Sequence, residues 1–299
     1  MIENVLVVLN YNDYNTIEKF LNNAVHIESI DKLIVVDNCS TDNSFEKLRA
    51  YESEKTDVIK TEKNGGYAYG NNFGIKYAMD KYSPKYVFVS NPDVEFDAEV
   101  INSILGFFEN KEQKNIKIGV VTGSMVTTTQ AKICPAWKLP TYADCLWEYM
   151  IVLRKLLKIK GVYYDRNYFQ QNESRVDVVS GAFFAVKAET FLDVGMFDEG
   201  TFLYGEENIL AFKLKSKGYV SYVLNNHNFL HHHSVSISKS IKSTGKRLDL
   251  AYESRCLYLD KYLKAGKIKK VVHAVTYKMG RMNYLFAKKI ISENDLRKK

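Results

Sequence analysis

Tyr86-Val-Phe-Val-Ser-Asn-Pro-Asp-Val94 is the stretch that decides the fold. Val87, Phe88 and Val89 form a short continuous apolar run, the pattern of a strand buried on both faces. Pro92 has no N–H to give to a ladder, so the strand must stop before it. Asp93 is then left beyond the strand's C-terminal end, the edge at which open α/β sheets bind ligands. A carboxylate there can hold a divalent cation, and the cation a diphosphate. The alternative is a turn in which Asn91 and Asp93 bond only to the backbone.

Strand-like and helix-like segments alternate around this stretch. Val5–Leu9, Lys32–Val36 and Asp57–Lys60 read as strands. Tyr14–Ala24 has helical spacing, with Ile17, Phe20, Leu21 and Ala24 on one face and Asn15 as its N-cap. Helices are also expected after Ser40–Ser44 (through Tyr51), at Tyr69–Met79 and at Ala98–Glu109, with a strand at Ile118–Gly123. This βαβαβ order predicts an α/β fold with a mostly parallel, nucleotide-binding sheet. Beyond Cys134 we expect one amphipathic helix over Tyr142–Ile159, one strand over Val176–Val186, and short helices at Ala188–Val194 and Glu207–Lys217. Strands at Tyr219–Val223 and Phe229–His233 follow, then a flexible basic link, Lys239–Arg247, and helices over 248–264 and 268–291.

The chain has 299 residues, 46% hydrophobic and 26% charged, which suits one large core with an appendage, or two small domains. Its four cysteines include no CxxC pair, so neither a zinc site nor a disulfide framework is indicated. The chain opens into a strand rather than a secretory leader and has no stretch of transmembrane length, so a cytoplasmic protein is expected. Net charge is +7, but unevenly spread: residues 239–299 carry 17 Lys/Arg against 5 Asp/Glu, whereas the rest is mildly acidic. We therefore divide the chain into a body, 1–238, and a basic helical extension, 239–299. The extension reads either as a surface for an anionic partner or as a solvated helix face.

Four further motifs carry possible chemistry. Asp37 ends an apolar run and heads Asp37-Asn-Cys-Ser-Thr-Asp42; it can accept bonds from a ribose hydroxyl or base N–H, or serve as a helix cap. Asn64-Gly-Gly-Tyr-Ala-Tyr-Gly-Asn-Asn-Phe-Gly74 places glycines before a helix, allowing close backbone approach to an anionic ligand. Glu206 and Glu207 start a helix, where they either offset its dipole or supply a general base. His231-His-His233 ends a strand, with His231 and His233 on one face as metal or phosphate contacts or as an exposed run.

Together these motifs, with Val7-Val-Leu-Asn-Tyr-Asn12, Ser180-Gly-Ala182, Phe197-Asp-Glu199, Tyr204-Gly-Glu-Glu207 and Ser236, resemble the family-2 inverting glycosyltransferases of GT-A fold. The likeness covers about residues 3–236 and is nearest to the bacterial rhamnosyl- and galactofuranosyltransferase-like branch. It implies that Leu9, Asn10, Tyr11 and Asp37 hold nucleobase and ribose. Asn64, Gly65, Gly66, Asn71 and Asn91 would border the nucleotide and donor sugar. Asp93 would be the surviving carboxylate of an Asp-x-Asp metal motif, joined by His231. Glu207 would be the catalytic base with Glu206 beside it, and Gly181, Ala182, Tyr204, His233 and Ser236 would lie on the acceptor side.

The resemblance further implies a Mg²⁺ or Mn²⁺ cofactor and a nucleoside-diphosphate sugar donor, dTDP-rhamnose or a UDP-hexose. The acceptor would be a hydroxyl of a growing cell-surface polysaccharide on a polyprenyl diphosphate at the inner membrane face. Lys267, Lys269, Lys270, Lys278 and Arg281 would meet lipid headgroups, with Tyr258, Tyr262, Tyr277, Tyr284 and Phe286 at the interface. Otherwise the extension packs on the body or on a second subunit as a homodimer. The sequence departs from the family pattern at Asn91, Glu207, Ile209 and Lys213, where Asp, Asp, Asp and Arg are usual. A non-catalytic nucleotide-sugar binder and a nucleotidyltransferase are the competing classes. No nucleic-acid partner is expected, because no recognised module accompanies the basic tail.

Overall fold

The structure, a computed structural model, describes residues 2–129, 132–133, 135–232, 241 and 243–296. Four strands form its first half: β1 Asn4–Asn10, β2 Lys32–Asp37, β3 Thr56–Lys60 and β4 Tyr86–Ser90. They lie parallel in the order β3-β2-β1-β4. Then come β5 Val94–Glu95, β6 Ile118–Val126, β7 Lys132–Ile133, β8 Ala136–Trp137, β9 Glu173–Val176, β10 Val178–Val179, β11 Phe183–Lys187 and β12 Val220–His231. The sheet continues past β4 as β11-β6-β12-β5, with β11 antiparallel to both its neighbours and β12 parallel to β6. The expected mostly parallel nucleotide half is therefore present and is extended by a mixed half.

The apolar runs are continuous because both faces of the sheet are covered. Leu6, Val8, Leu33, Val35 and Phe88 face one core with Ile17, Phe20 and Leu21 of the helix Tyr14–Ala24. Val5, Val7, Ile34, Val36, Val87 and Val89 face the other, against the helix Gly66–Tyr82. Parallel pairing brings Asn10 level with Asp37, so β1, β2 and β4 deliver their C-terminal ends to one edge.

Glycines set how closely the helix Gly66–Tyr82 approaches this sheet. A methyl group at Gly70 would lie 2.4 Å from Leu9 Cδ1, and one at Gly74 2.5 Å from Val36 Cγ2. These two glycines serve helix–sheet contact rather than a ligand. Gly66 is different: its φ is +89°, and a Cβ there would lie 2.1 Å from the Phe202 carbonyl.

Four local expectations are corrected. The first helix starts at Tyr14 with Asp13, not Asn15, at its N-cap. Tyr142–Ile159 forms two short helices, Tyr142–Trp147 and Ile151–Leu156, because Tyr149 between them turns into the C-terminal helix, its ring against His273 and Tyr277. Val176–Val186 is not one strand, since β10 leaves the main sheet to pair with β8. The two strands expected at Tyr219–Val223 and Phe229–His233 are, over the described residues, the single strand β12, Val220–His231, whose polar Asn225–His227 is taken up in a register shift against β6. Gly123 makes room for that shift: a Cβ there would lie 2.6 Å from the His227 carbonyl.

The extension contributes a helix, Thr244–Leu257, capped by Ser243, a wider turn, Tyr258–Tyr262, and a long helix, Lys267–Leu296. Residues 239, 240 and 242 of the expected link lie outside the described residues. Tyr258, Leu259 and Ala265 share a core with Cys145 and Ile209 of the body, so residues 244–265 pack on it. Ile209 is fully buried there, and its apolar side chain fits that core where an acid would not.

Candidate active site

A cavity of about 300 Å³ opens at the edge where the parallel strands end. Leu9, Asn10 and Tyr11 enter it from β1 and the following turn, and Asn91, Pro92 and Asp93 follow β4. Asn64, Gly66 and Tyr67 line it from the start of the helix Gly66–Tyr82, His231 from the end of β12. Eight residues singled out in the sequence thus converge: Leu9, Asn10, Tyr11, Asn64, Gly66, Asn91, Asp93 and His231.

Asp37 lies beneath the cavity wall. It is fully buried, and its carboxylate accepts from Asn10 Nδ2 at 3.0 Å and from the Ser40 N–H at 2.8 Å. Its place in the structure is to fix Asn10 and the turn after β2. Asn38 adds a second tie, donating to Asn64 Oδ1 at 3.0 Å and to the Gly66 carbonyl at 3.1 Å. Asn71 is buried, donating to the Tyr67 carbonyl within its own helix, and Gly65 sits against Tyr69.

Asp93 Oδ1 and His231 Nε2 are 3.3 Å apart, and the His232 N–H donates to the Asp93 carbonyl at 2.9 Å. Among the described residues no group of three or more His, Cys, Asp or Glu converges as a closed metal site. One carboxylate and one imidazole suit a divalent cation that takes its other ligands from diphosphate oxygens and water. The pair fits a cation that arrives with its ligand.

Glu206 and Glu207 begin the helix Glu206–Ser216 after Tyr204 and Gly205, both at positive φ. The two carboxylates differ. Glu206 is buried and its Oε2 has no hydrogen-bond partner; burial, and then the neighbouring Glu207, push its carboxyl well above the usual range. Glu207 is partly exposed. Its Oε1 accepts from the Gly181 N–H at 3.3 Å, and the Gly181 carbonyl accepts from Tyr67 Oη at 2.6 Å. Burial raises the Glu207 carboxyl, while backbone N–H groups partly offset the rise. Tyr67 thus joins the cavity wall to the Glu207 carboxylate through one glycine, next to Ala182, whose carbonyl accepts from the Asn91 N–H.

The segment 197–205 passes over Gly66. The Tyr67 N–H donates to the Phe202 carbonyl at 2.9 Å, and Phe202 and Leu203 line the cavity. Asn72 fixes one end through Phe197 and Glu199, and Ser254 of the extension donates to the Leu203 carbonyl. Lys213 braces the turn before it, donating to the Gly195 and Met196 carbonyls; burial lowers its ammonium to about 8.

Sequence reasoning missed Asp13, Pro92, Phe202, Leu203, Ile241 and Lys246 as cavity residues. Asn38 and Tyr67 lay inside motifs already marked, beside Asp37 and Gly66. Lys246 gave no usable signal, because its charge merged with the rest of the basic tail. His233 and Ser236 lie outside the described residues.

A nucleotide-type parallel sheet, a cavity at its ligand edge and a carboxylate at a helix start beside it are the architecture of the GT-A class. The Glycosyl transferase family 2 model matches residues 5–160, and the chain belongs to this family of glycosyltransferases. It is 24% identical over 203 residues to the low-salt glycan biosynthesis hexosyltransferase Agl10 of Haloferax volcanii, covering 68% of this chain and 58% of that protein. It is 25% identical over 218 residues to the rhamnosyltransferase WbbL of Escherichia coli, covering 71% and 77%. Among solved structures, GalNAc-T7 with UDP, GalNAc and Mn²⁺ has a TM-score of 0.61 at 13% identity, covering 87% of this chain and 49% of that one. The Pyrobaculum calidifontis mannosyltransferase PcManGT with GDP-Man and Mn²⁺ has a TM-score of 0.57 at 15% identity, covering 91% and 68%.

Proposed function

We propose that this chain moves a sugar from a nucleoside-diphosphate sugar to a hydroxyl of a growing cell-surface glycan, with inversion at the anomeric carbon. The observation that carries the reading is the connection from cavity to carboxylate: Tyr67 lines the cavity and reaches Glu207 through Gly181. The nucleotide would occupy the cavity over Leu9, Asn10 and Tyr11, with Asn10 pre-set by buried Asp37. Its diphosphate would lie toward Asp93, His231 and Lys246.

The acceptor hydroxyl attacks the anomeric carbon from the face opposite the diphosphate. A carbon–oxygen bond to the acceptor forms as the bond to the phosphate oxygen breaks, and the nucleoside diphosphate leaves. Glu207 takes the hydroxyl proton. A carboxyl raised by burial is better matched to that task near neutral pH than an ordinary one. Asp93 and His231 are the residues that would hold Mg²⁺ or Mn²⁺, which when bound offsets charge on the departing diphosphate. Glu206, pushed further toward its protonated form, supports the helix start as a neutral group.

The names of the relatives favour a polysaccharide acceptor and a hexose or rhamnose donor, and we take the acceptor to be carried on a polyprenyl diphosphate at a membrane surface. A thermal-shift screen of dTDP-rhamnose, UDP-hexoses and GDP-mannose with Mn²⁺ tests the donor, because a ligand that binds only the folded chain raises its melting temperature. Transfer from the best donor, lost in Glu207→Gln, would establish the reaction; no stabilisation by any nucleotide sugar would refute it.

A further inference from the structure

The C-terminal helix Lys267–Leu296 has two opposite working faces. One packs on the protein: His273 and Tyr277 are buried against Tyr149 and Tyr252, and Gly280 meets the Tyr149 backbone, where a Cβ would lie 2.4 Å from the carbonyl. Ile268, Val271, Val272, Val275, Met279 and Met282 recur at helical spacing and form a single stripe on the other side. Ile268 is 81% exposed, Val271 63%, Val275 51% and Met282 69%. A contiguous apolar stripe of this size left in water marks an interaction surface.

Several groups assigned to a lipid interface from the sequence are engaged by the protein itself instead. Tyr258 and Tyr277 are buried, and Tyr262 bonds to Asp198. Arg281 pairs with Asp249 at 2.8 Å, and Lys270 pairs with Asp260. The outward set is aliphatic, and exposed Lys267, Lys269 and Lys278 flank it. A second apolar group follows on the neighbouring element: Leu156, 74% exposed, and Leu157 project from the helix Ile151–Leu156, which starts two residues after Tyr149 and carries Arg154 and Lys155. Among the described residues no helix is long and apolar enough to cross a membrane.

We infer that this stripe lies in the surface of an anionic bilayer, parallel to the membrane plane, with its flanking lysines among the headgroups. An apolar face bordered by cations is the chemistry of an interfacial helix. A second copy of the chain fits less well, because self-pairing of the stripes would bring the flanking lysines together. The inference stands apart from the transferase reading, since the stripe is outside the cavity and uses none of its residues.

Flotation of the full chain tests it, with vesicles of phosphatidylglycerol and phosphatidylethanolamine compared with phosphatidylcholine alone. The chain should float with the anionic vesicles and less with the neutral ones. Combining Val271→Ser, Val275→Ser and Met279→Ser should cut the bound fraction about tenfold without lowering the melting temperature, because all three positions face water. Combining Lys267→Gln, Lys269→Gln and Lys278→Gln should weaken binding only to the anionic vesicles. Glu207→Gln should float like the parent, so failure of the catalytic assignment leaves this result untouched. No flotation with anionic vesicles, or equal flotation of the serine variant, overturns the inference. So does a parent dimer in light scattering that the serine variant converts to monomer without any vesicle binding, which would assign the stripe to a second copy.

Discussion

Tyr67 and Glu207 bind the same residue from its two sides: the Gly181 carbonyl accepts from Tyr67 Oη and the Gly181 N–H donates to Glu207 Oε1. The carboxylate is therefore placed by a backbone that the cavity wall itself holds. A Cβ at Gly181 would sit 3.2 Å from both Glu207 Oε1 and Tyr67 Oη. Gly181→Ala should displace the base by a few tenths of an ångström and lower kcat by up to about 10-fold, since a misplacement of about 1 Å can cost about 10²-fold. Nucleotide affinity by calorimetry should not change.

The two adjacent glutamates should respond differently to amide substitution. Glu207→Gln removes the proton acceptor and should cost about 10²–10⁴-fold in kcat. Glu206→Gln replaces a carboxyl that burial already favours in its neutral form, so most activity should remain. Steady-state transfer rates of the two variants decide this; equal losses would mean that the base has been assigned to the wrong residue or to the pair.

Stability should carry a matching pH signature. A carboxyl raised in the folded state binds more protons there than in the unfolded chain, so stability is lost as pH rises from the ordinary carboxylate range through the raised folded value. Both glutamates act in this sense, by burial first. Glu206→Gln should therefore gain melting temperature relative to the parent as pH increases over that interval, with no gain below it. The acid limb of kcat/KM should lie above the usual carboxylate value because Glu207 must ionise to act.

Lys246 supplies a cation to the wall of the cavity that Asn91, Pro92 and Asp93 also line. Lys246→Met should weaken nucleoside-diphosphate binding roughly tenfold, the scale of one charge-assisted contact, and leave nucleoside binding unchanged. Asp93→Asn should instead abolish the gain in nucleotide affinity that Mn²⁺ confers, with metal-free affinity preserved. Calorimetry with and without Mn²⁺ separates the two effects.

Asp37 offers a stability test. Asp37→Ala would leave the Ser40 N–H without its acceptor and Asn10 Nδ2 with only Ser40 Oγ, at about 1–3 kcal/mol for an unpaired buried group. A large drop in the denaturation midpoint is expected alongside weaker nucleotide binding.

The ligand edge was legible because β1, β2 and β4 have continuous apolar interiors covered on both faces, so their ends could be read from Asn10, Asp37 and Pro92. β12 was not, because Asn225–His227 looks like a loop until Gly123 is seen opposite it. The glycines after Asn64 gave the right place with a partly wrong reason, since Gly70 and Gly74 meet Leu9 and Val36. The C-terminal helix misled more. Apolar residues on two opposite faces give no single amphipathic stripe, so the sequence could not separate Tyr277, which faces the protein, from Val275, which faces out.

The extension's first helix has a practical corollary for anyone shortening this chain. A fragment ending at residue 238 would lack the Ile241 and Lys246 portion of the cavity wall and the Ser254 hydroxyl that braces the segment over Gly66. It would also uncover Ile209, two residues along from the proposed base, by removing Tyr258, Leu259 and Ala265. A cut after Ala265 would instead keep every residue of the cavity wall and that small core, but would uncover Tyr149 and Tyr252 by removing His273 and Tyr277.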